Sequence, residues 1–146
     1  MHRFHPIIVA LVLMLSSSFV ALAHQGATGI IKDRMDRFSQ TKDDIRASFR
    51  DAQNGAFDDV ITRSRRIAEW GRSMPDFFPE GSTQSPTEAD PAIWNDFDGF
   101  TAAGLAMSSA AEQVIAAAET SDTDATMTAL KALGQTCGAC HRQYRK

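Results

Sequence analysis

Ile31-Lys32-Asp33-Arg34-Met35-Asp36-Arg37-Phe38-Ser39-Gln40-Thr41-Lys42-Asp43-Asp44-Ile45 puts Ile31, Phe38 and Ile45 seven residues apart, with charged side chains filling most positions between. A heptad spacing of large apolar residues is the mark of a helix that buries one stripe against other helices. Met35 and Phe49 widen the stripe, so the spacing predicts a first helix from about Gly26 to Arg50.

Outward from that stretch the same period returns three times. A second helix is predicted over about Asp58–Met74, with Val60, Ile61, Ser64, Ile67, Ala68 and Gly71 on one side, and Pro75 ends it. Residues 75–91 read as a crossover loop, because Pro75, Pro79, Gly81, Pro86 and Pro91 break any period; a loop of that length calls for local packing of its own. A third helix is predicted from Asp90-Pro91, where Asp caps and Pro suits the first turn, through Trp94, Phe97, Gly104, Ser108, Ala111 and Ile115. A fourth starts near Ser121-Asp122 and passes Met127, Leu130, Leu133, Cys137, Cys140 and Tyr144. Four such stripes and no strand pattern predict an all-α fold, an antiparallel four-helix bundle crossing at about 20°.

The first residues read differently. Arg3 precedes the apolar run Ile7–Leu15, serines follow, and Ala21-Leu22-Ala23 closes the segment. This is the pattern of a secretory signal peptide cut after Ala23, since the run falls short of the roughly 20 residues a membrane span needs. Residues 1–23 are therefore set apart and 24–146 are read as one domain, exported to an oxidising compartment outside the cytoplasm, the periplasm. An uncleaved anchor is the alternative; no later segment is apolar enough to span. Without the leader, 14 basic side chains face 18 acidic ones, a balance that gives a nucleic-acid partner no electrostatic support. From Met74 to His141 Lys131 is the only Lys or Arg among ten acidic residues. That half of the chain reads as a solvated helix surface or as a face that steers a basic partner.

Cys137-Gly138-Ala139-Cys140-His141 has the spacing of a c-type haem attachment site, in which two thiols add to the haem vinyl groups and the imidazole binds iron. On a helix these residues stand at i, i+3 and i+4, so all three project from one face. A thioredoxin-like pair would sit beside a βαβ pattern, and a structural zinc site would need four ligands; neither suits this chain. A Cys137–Cys140 disulfide before haem attachment stays open. His2 and His5 leave with the leader and His24 sits at a terminus, which makes His141 the iron ligand. For the position opposite, Met35, Met74, Met107 and Met127 are the sulfur donors, each of which also reads as core filler. If the Ile31–Phe38–Ile45 stripe faces the haem, Phe38 lies over iron and brings no donor atom.

The C-terminal Cys137-x-x-Cys140-His141, Ile31-Lys32-Asp33-Arg34-x-x-x-Phe38, Phe78-Pro79-Glu80-Gly81-Ser82 and Ile93-Trp94 together resemble cytochrome c′ over nearly the whole mature chain. The resemblance implies a four-helix bundle, commonly a homodimer, with one covalent haem c on Cys137 and Cys140 and His141 as proximal ligand. It also implies Arg145 beside the imidazole and Arg34 near a haem propionate. Each arginine has a plain reading too, Arg145 as a cation at a helix C-terminus and Arg34 as a solvated charge. Low-spin relatives carry Met where this chain has Phe38. The resemblance thus implies a high-spin, five-coordinate iron, with Met35, one turn away, as the alternative sulfur ligand. It implies electron transfer and binding of nitric oxide and carbon monoxide, with a redox partner the sequence does not identify. A peroxidase would need a distal acid–base group, and no spare His supplies one, so the expectation is a carrier and not an enzyme. A sensor is the other non-enzymatic alternative.

Overall fold

The computed structural model describes residues 26–146; the signal peptide and His24 lie outside the described residues. Four long helices make the bundle: α1 (Gly29–Gln53), α2 (Phe57–Ser73), α4 (Phe97–Glu119) and α5 (Thr123–Tyr144), with a short α3 (Ala92–Asn95) in the crossover. The chain turns from α1 to α2 at Asn54 and Gly55, where Gly55 takes φ +75°, a conformation that costs glycine little. Asp122 caps α5 by accepting from the Ala125 N–H at 2.9 Å. Neighbours run α1–α2–α4–α5, and α5 closes the ring on α1 through the sparsest of the four contacts.

Two devices fix the ring. Between α1 and α2, Asp44 is 1% exposed and accepts from Arg66 Nη2 at 2.6 Å and Nε at 3.2 Å, while Arg63 Nε bonds Asp51 at 2.9 Å. A buried carboxylate needs such partners, because desolvation alone would expel it. Between α2 and α4, small residues let the backbones meet. A Cβ at Gly71 would stand 2.7 Å from the Gly104 carbonyl oxygen and 2.8 Å from the Ser108 nitrogen. Around this crossing Val60, Ile67, Trp70, Phe100, Val114, Leu130 and Leu133 form the buried core.

The crossover departs from the sequence reading at its ends. A 3-10 turn, Met74–Phe77, extends α2. The third long helix begins at Phe97, not at Asp90-Pro91: α3 lasts one turn, and Asp96 leaves helical geometry to cap α4 by accepting from the Gly99 N–H at 3.2 Å. Asp90 accepts from the Ala92 N–H at 2.8 Å, but the helix that follows is the one-turn α3, whose N-cap is Pro91. The local packing such a loop needs is supplied by Phe78, Ser82 and Ala89, all buried.

Gly71→Ala is expected to lower stability by about 1–3 kcal/mol, since the added methyl meets backbone atoms that cannot step aside. Denaturant unfolding of the variant checks this; an unchanged midpoint would show that α2 and α4 part freely.

Candidate haem site

The attachment motif occupies the last turns of α5. Cys137 and Cys140 are free thiols, both half-buried, and Cys140 packs on the core. Burial raises the pKa of both thiols, for Cys137 against the opposing hydrogen bonds of Thr136 and its own backbone, and for Cys140 with help from Cys137. His141 is exposed at its edge, yet neighbouring atoms desolvate it enough to lower its pKa; the charge of Arg145 adds to this and Glu88 opposes it. The shift favours the neutral imidazole, the form that binds metals.

A helix end that carries a ligand must be stopped from fraying. Here the crossover holds it. The Asp90 N–H donates to the Tyr144 carbonyl and the Lys146 N–H to the Glu88 carbonyl, each at 3.0 Å, Arg145 bridges to Ala89, and its guanidinium pairs with Glu88. Tyr144 donates its hydroxyl to Asp96 at 2.7 Å, so the carboxylate that caps α4 also anchors the end of α5. Sequence reading missed this role of Asp96, whose only signal was a capping residue shortly before Gly99. Arg145 is the C-cap of α5, in extended backbone, so it is a cation at the helix C-terminus, and its side chain pairs with Glu88.

Arg34 is not a solvated charge. It is 1% exposed and donates from Nη1 to Ser82 Oγ at 2.7 Å and from Nη2 to the Ser82 carbonyl at 2.6 Å and Thr87 Oγ1 at 2.8 Å. Its guanidinium also lies 4.3 Å from the Phe78 ring centroid. Burial lowers its pKa. Arg34 therefore ties α1 to the crossover, and a propionate would compete with these acceptors.

Phe38 sits in a cage of rings, 5.3 Å from Trp70 and 6.4 Å from Phe78 between centroids, and packs half-buried on the core, as Cys140 does from α5. Met35 instead lines a shallow surface groove with Lys32, Asp36 and Ser39. The donor set fits a covalent haem: two unpaired thiols and an imidazole share one helix face, and a Cβ at Gly138 would meet only the end of the Arg142 side chain, at 3.5 Å. Trp70 Nε1, buried beside Phe38 without a hydrogen-bond partner, is a donor suited to a ligand that carries carboxylates.

Tyr144, the chain's one tyrosine, has its pKa pushed up to about 12 by burial and then by the hydrogen bond and charge of Asp96. The folded protein keeps this proton longer than the unfolded chain does, so the stability it contributes is full below pH 10 and is lost as pH rises toward 12. Tyrosinate absorbance should appear with a midpoint near 12 and move down in Asp96→Asn; a midpoint near 10 in the unaltered protein would remove the anchor.

The family model described as Cytochrome C′ matches residues 29–145. Over 83 residues the chain is 41% identical to a cytochrome c′ of Rhodospirillum rubrum, covering 56% of each chain. Over 79 residues it is 42% identical to a cytochrome c-556 of Agrobacterium fabrum, covering 54% of this chain and 53% of that one. These matches thus span little more than half the length of either relative. In structure it resembles the nitric oxide complex of a variant cytochrome c prime from Alcaligenes xylosoxidans, with a TM-score of 0.69 and 22% identity over 80% of this chain and 94% of that one. With its four-helix bundle, its attachment motif on the last helix and a family match from α1 to the residue after α5, the chain belongs to the cytochrome c′ family, c-type cytochromes with one covalently attached haem.

Proposed function

We propose that this is an exported, periplasmic electron carrier whose haem iron is five-coordinate and high-spin and binds nitric oxide and carbon monoxide. In this reading Cys137 and Cys140 hold the haem through thioethers and His141 is the axial ligand. The haem, when bound, supplies the one-electron ferric–ferrous couple and the iron that takes a diatomic gas. Among the described residues no helix is long and apolar enough to cross a membrane.

The observation that carries the reading is the placement of Phe38. It belongs to the ring cluster on the core, whereas Met35 opens onto a groove lined by charged residues. Met74 and Met107 are buried in the core, and Met127 lies 14 residues before His141 on the same helix, roughly 20 Å away at 1.5 Å per residue. An apolar side chain opposite His141 offers bound dioxygen no hydrogen bond, and nitric oxide and carbon monoxide need less such help. The nitric oxide complex of the Alcaligenes protein supports the same choice of ligand. Tethering through Tyr144 and Arg145 positions His141.

The second reading, a low-spin carrier with Met35 as sixth ligand, requires α1 to turn so that Met35 replaces Phe38. Ferric and ferrous spectra before and after carbon monoxide decide between them. High-spin spectra with ready carbon monoxide binding are expected; low-spin spectra with a sulfur-to-iron band and slow binding would replace Phe38 with Met35. The functional unit in this proposal is a homodimer built on α1 and α2, where Phe49, Phe57 and Ile61 are only half-buried. Sedimentation across a concentration series should show the dimer, and a monomer at the highest concentration would remove it.

A further inference from the structure

At the end of α2, away from the attachment motif in sequence, an open groove of about 450 Å³ has walls of Pro75, Phe78, Pro79, Trp94 and Phe97, with Asp76 and Glu80 among its lining. Packing fixes its shape: Trp94 Nε1 donates to the Phe78 carbonyl at 3.0 Å, and the Phe78 ring stands 4.7 Å from Phe100. Phe78 also reaches Phe38 and Arg34, so one wall of the groove is part of the ring cluster at the candidate site. Phe97 is 39% exposed, one of two large apolar side chains left in solvent among the described residues. An aromatic held rigidly at a groove is typical of the core of a protein interface.

The charged residues that line it are both acidic. Asp76 and Glu80 are exposed, and neither has an ion-pair partner among the described residues, whereas Glu88 and Glu112 are paired with Arg145 and Arg72. Arg37 lies over Phe77 and Trp70 and is not among the lining residues. From Met74 to His141 Lys131 stands alone against ten acidic residues.

We infer that this groove docks a basic redox protein, with lysines of the partner facing Asp76 and Glu80 and an apolar centre covering Trp94 and Phe97. The inference rests on the electron-carrier reading and names the class of its partner. In the exchange the partner loses one electron and the iron gains one; no bond forms and no atom moves. Opposite charges bring the proteins together, and the aromatic groove fixes their orientation.

The test uses the haem-loaded ferric protein, mixed in stopped flow with a reduced, lysine-rich single-haem cytochrome c at several salt concentrations. The doubly substituted Asp76→Lys, Glu80→Lys protein should react about tenfold more slowly at low salt, with a flatter salt dependence. A control pair, Glu119→Lys and Asp124→Lys, makes the same charge change at the other end of the 23-residue α4, roughly 34 Å away. That pair should change the rate less than about twofold, and Phe97→Ser should slow the reaction at every salt concentration. Equal slowing by both pairs, or a salt-independent rate, would overturn the groove as the docking site. So would self-association of the unaltered protein that the groove variants abolish, because the occupant would then be a second copy. Reduction by ascorbate separates the two readings: variants that ascorbate reduces normally leave the carrier reading intact when docking fails, whereas an iron that neither donor reduces overturns both.

Discussion

Everything at the candidate site depends on holding still a helix end that would ordinarily fray. His141 lies in the last turn of α5, and the last carbonyls of a helix have no partners within it. The crossover supplies them. Asp90 and Glu88 pair with the backbone of Tyr144 and Lys146, Arg145 meets Ala89 and Glu88, and Tyr144 reaches Asp96. The long connection between α2 and α4 is therefore part of the site's framework. A shorter link could join the helices but would not tie down α5.

The crossover in turn is held from α1. Arg34 spends its hydrogen bonds on Ser82 and Thr87 and stacks on Phe78, so a single buried cation links the first helix to the segment that clamps the last. Burying a guanidinium is tolerable only when its donors are satisfied. Acceptors on Ser82 and Thr87, from one loop, meet that requirement. Phe78 then joins Arg34 to the Phe38 and Phe100 rings. The polar clamp and the aromatic cluster are thus one unit.

The remaining helices divide the work by chemistry. At the α2–α4 crossing Gly71 and Gly104 bring backbones into contact. Between α1 and α2 the register is set by charge, through Asp44 and its arginines. The α5–α1 seam carries the lightest packing of the four.

The sequence by itself determined the four helices and the shared helix face of Cys137, Cys140 and His141, because both rest on local periodicity: heptad spacing for α1, and i, i+3, i+4 geometry for those three residues. Gly71, Gly104 and Ser108 were legible as small residues on helix faces, but not as a backbone contact. Only the tertiary structure decided the fate of the charges. Arg34 and Asp44 look like solvated side chains in a polar stretch, yet both are buried on partners 48 and 22 residues away, and Asp96 meets Tyr144 across 48 residues. Periodicity reports which side of a helix an atom faces; it carries no information on which distant loop returns to meet it. The start of α4 was misplaced as well: Asp90-Pro91 and Asp96 both carry capping residue types, and it is Asp96 that leaves helical geometry and accepts from the Gly99 N–H.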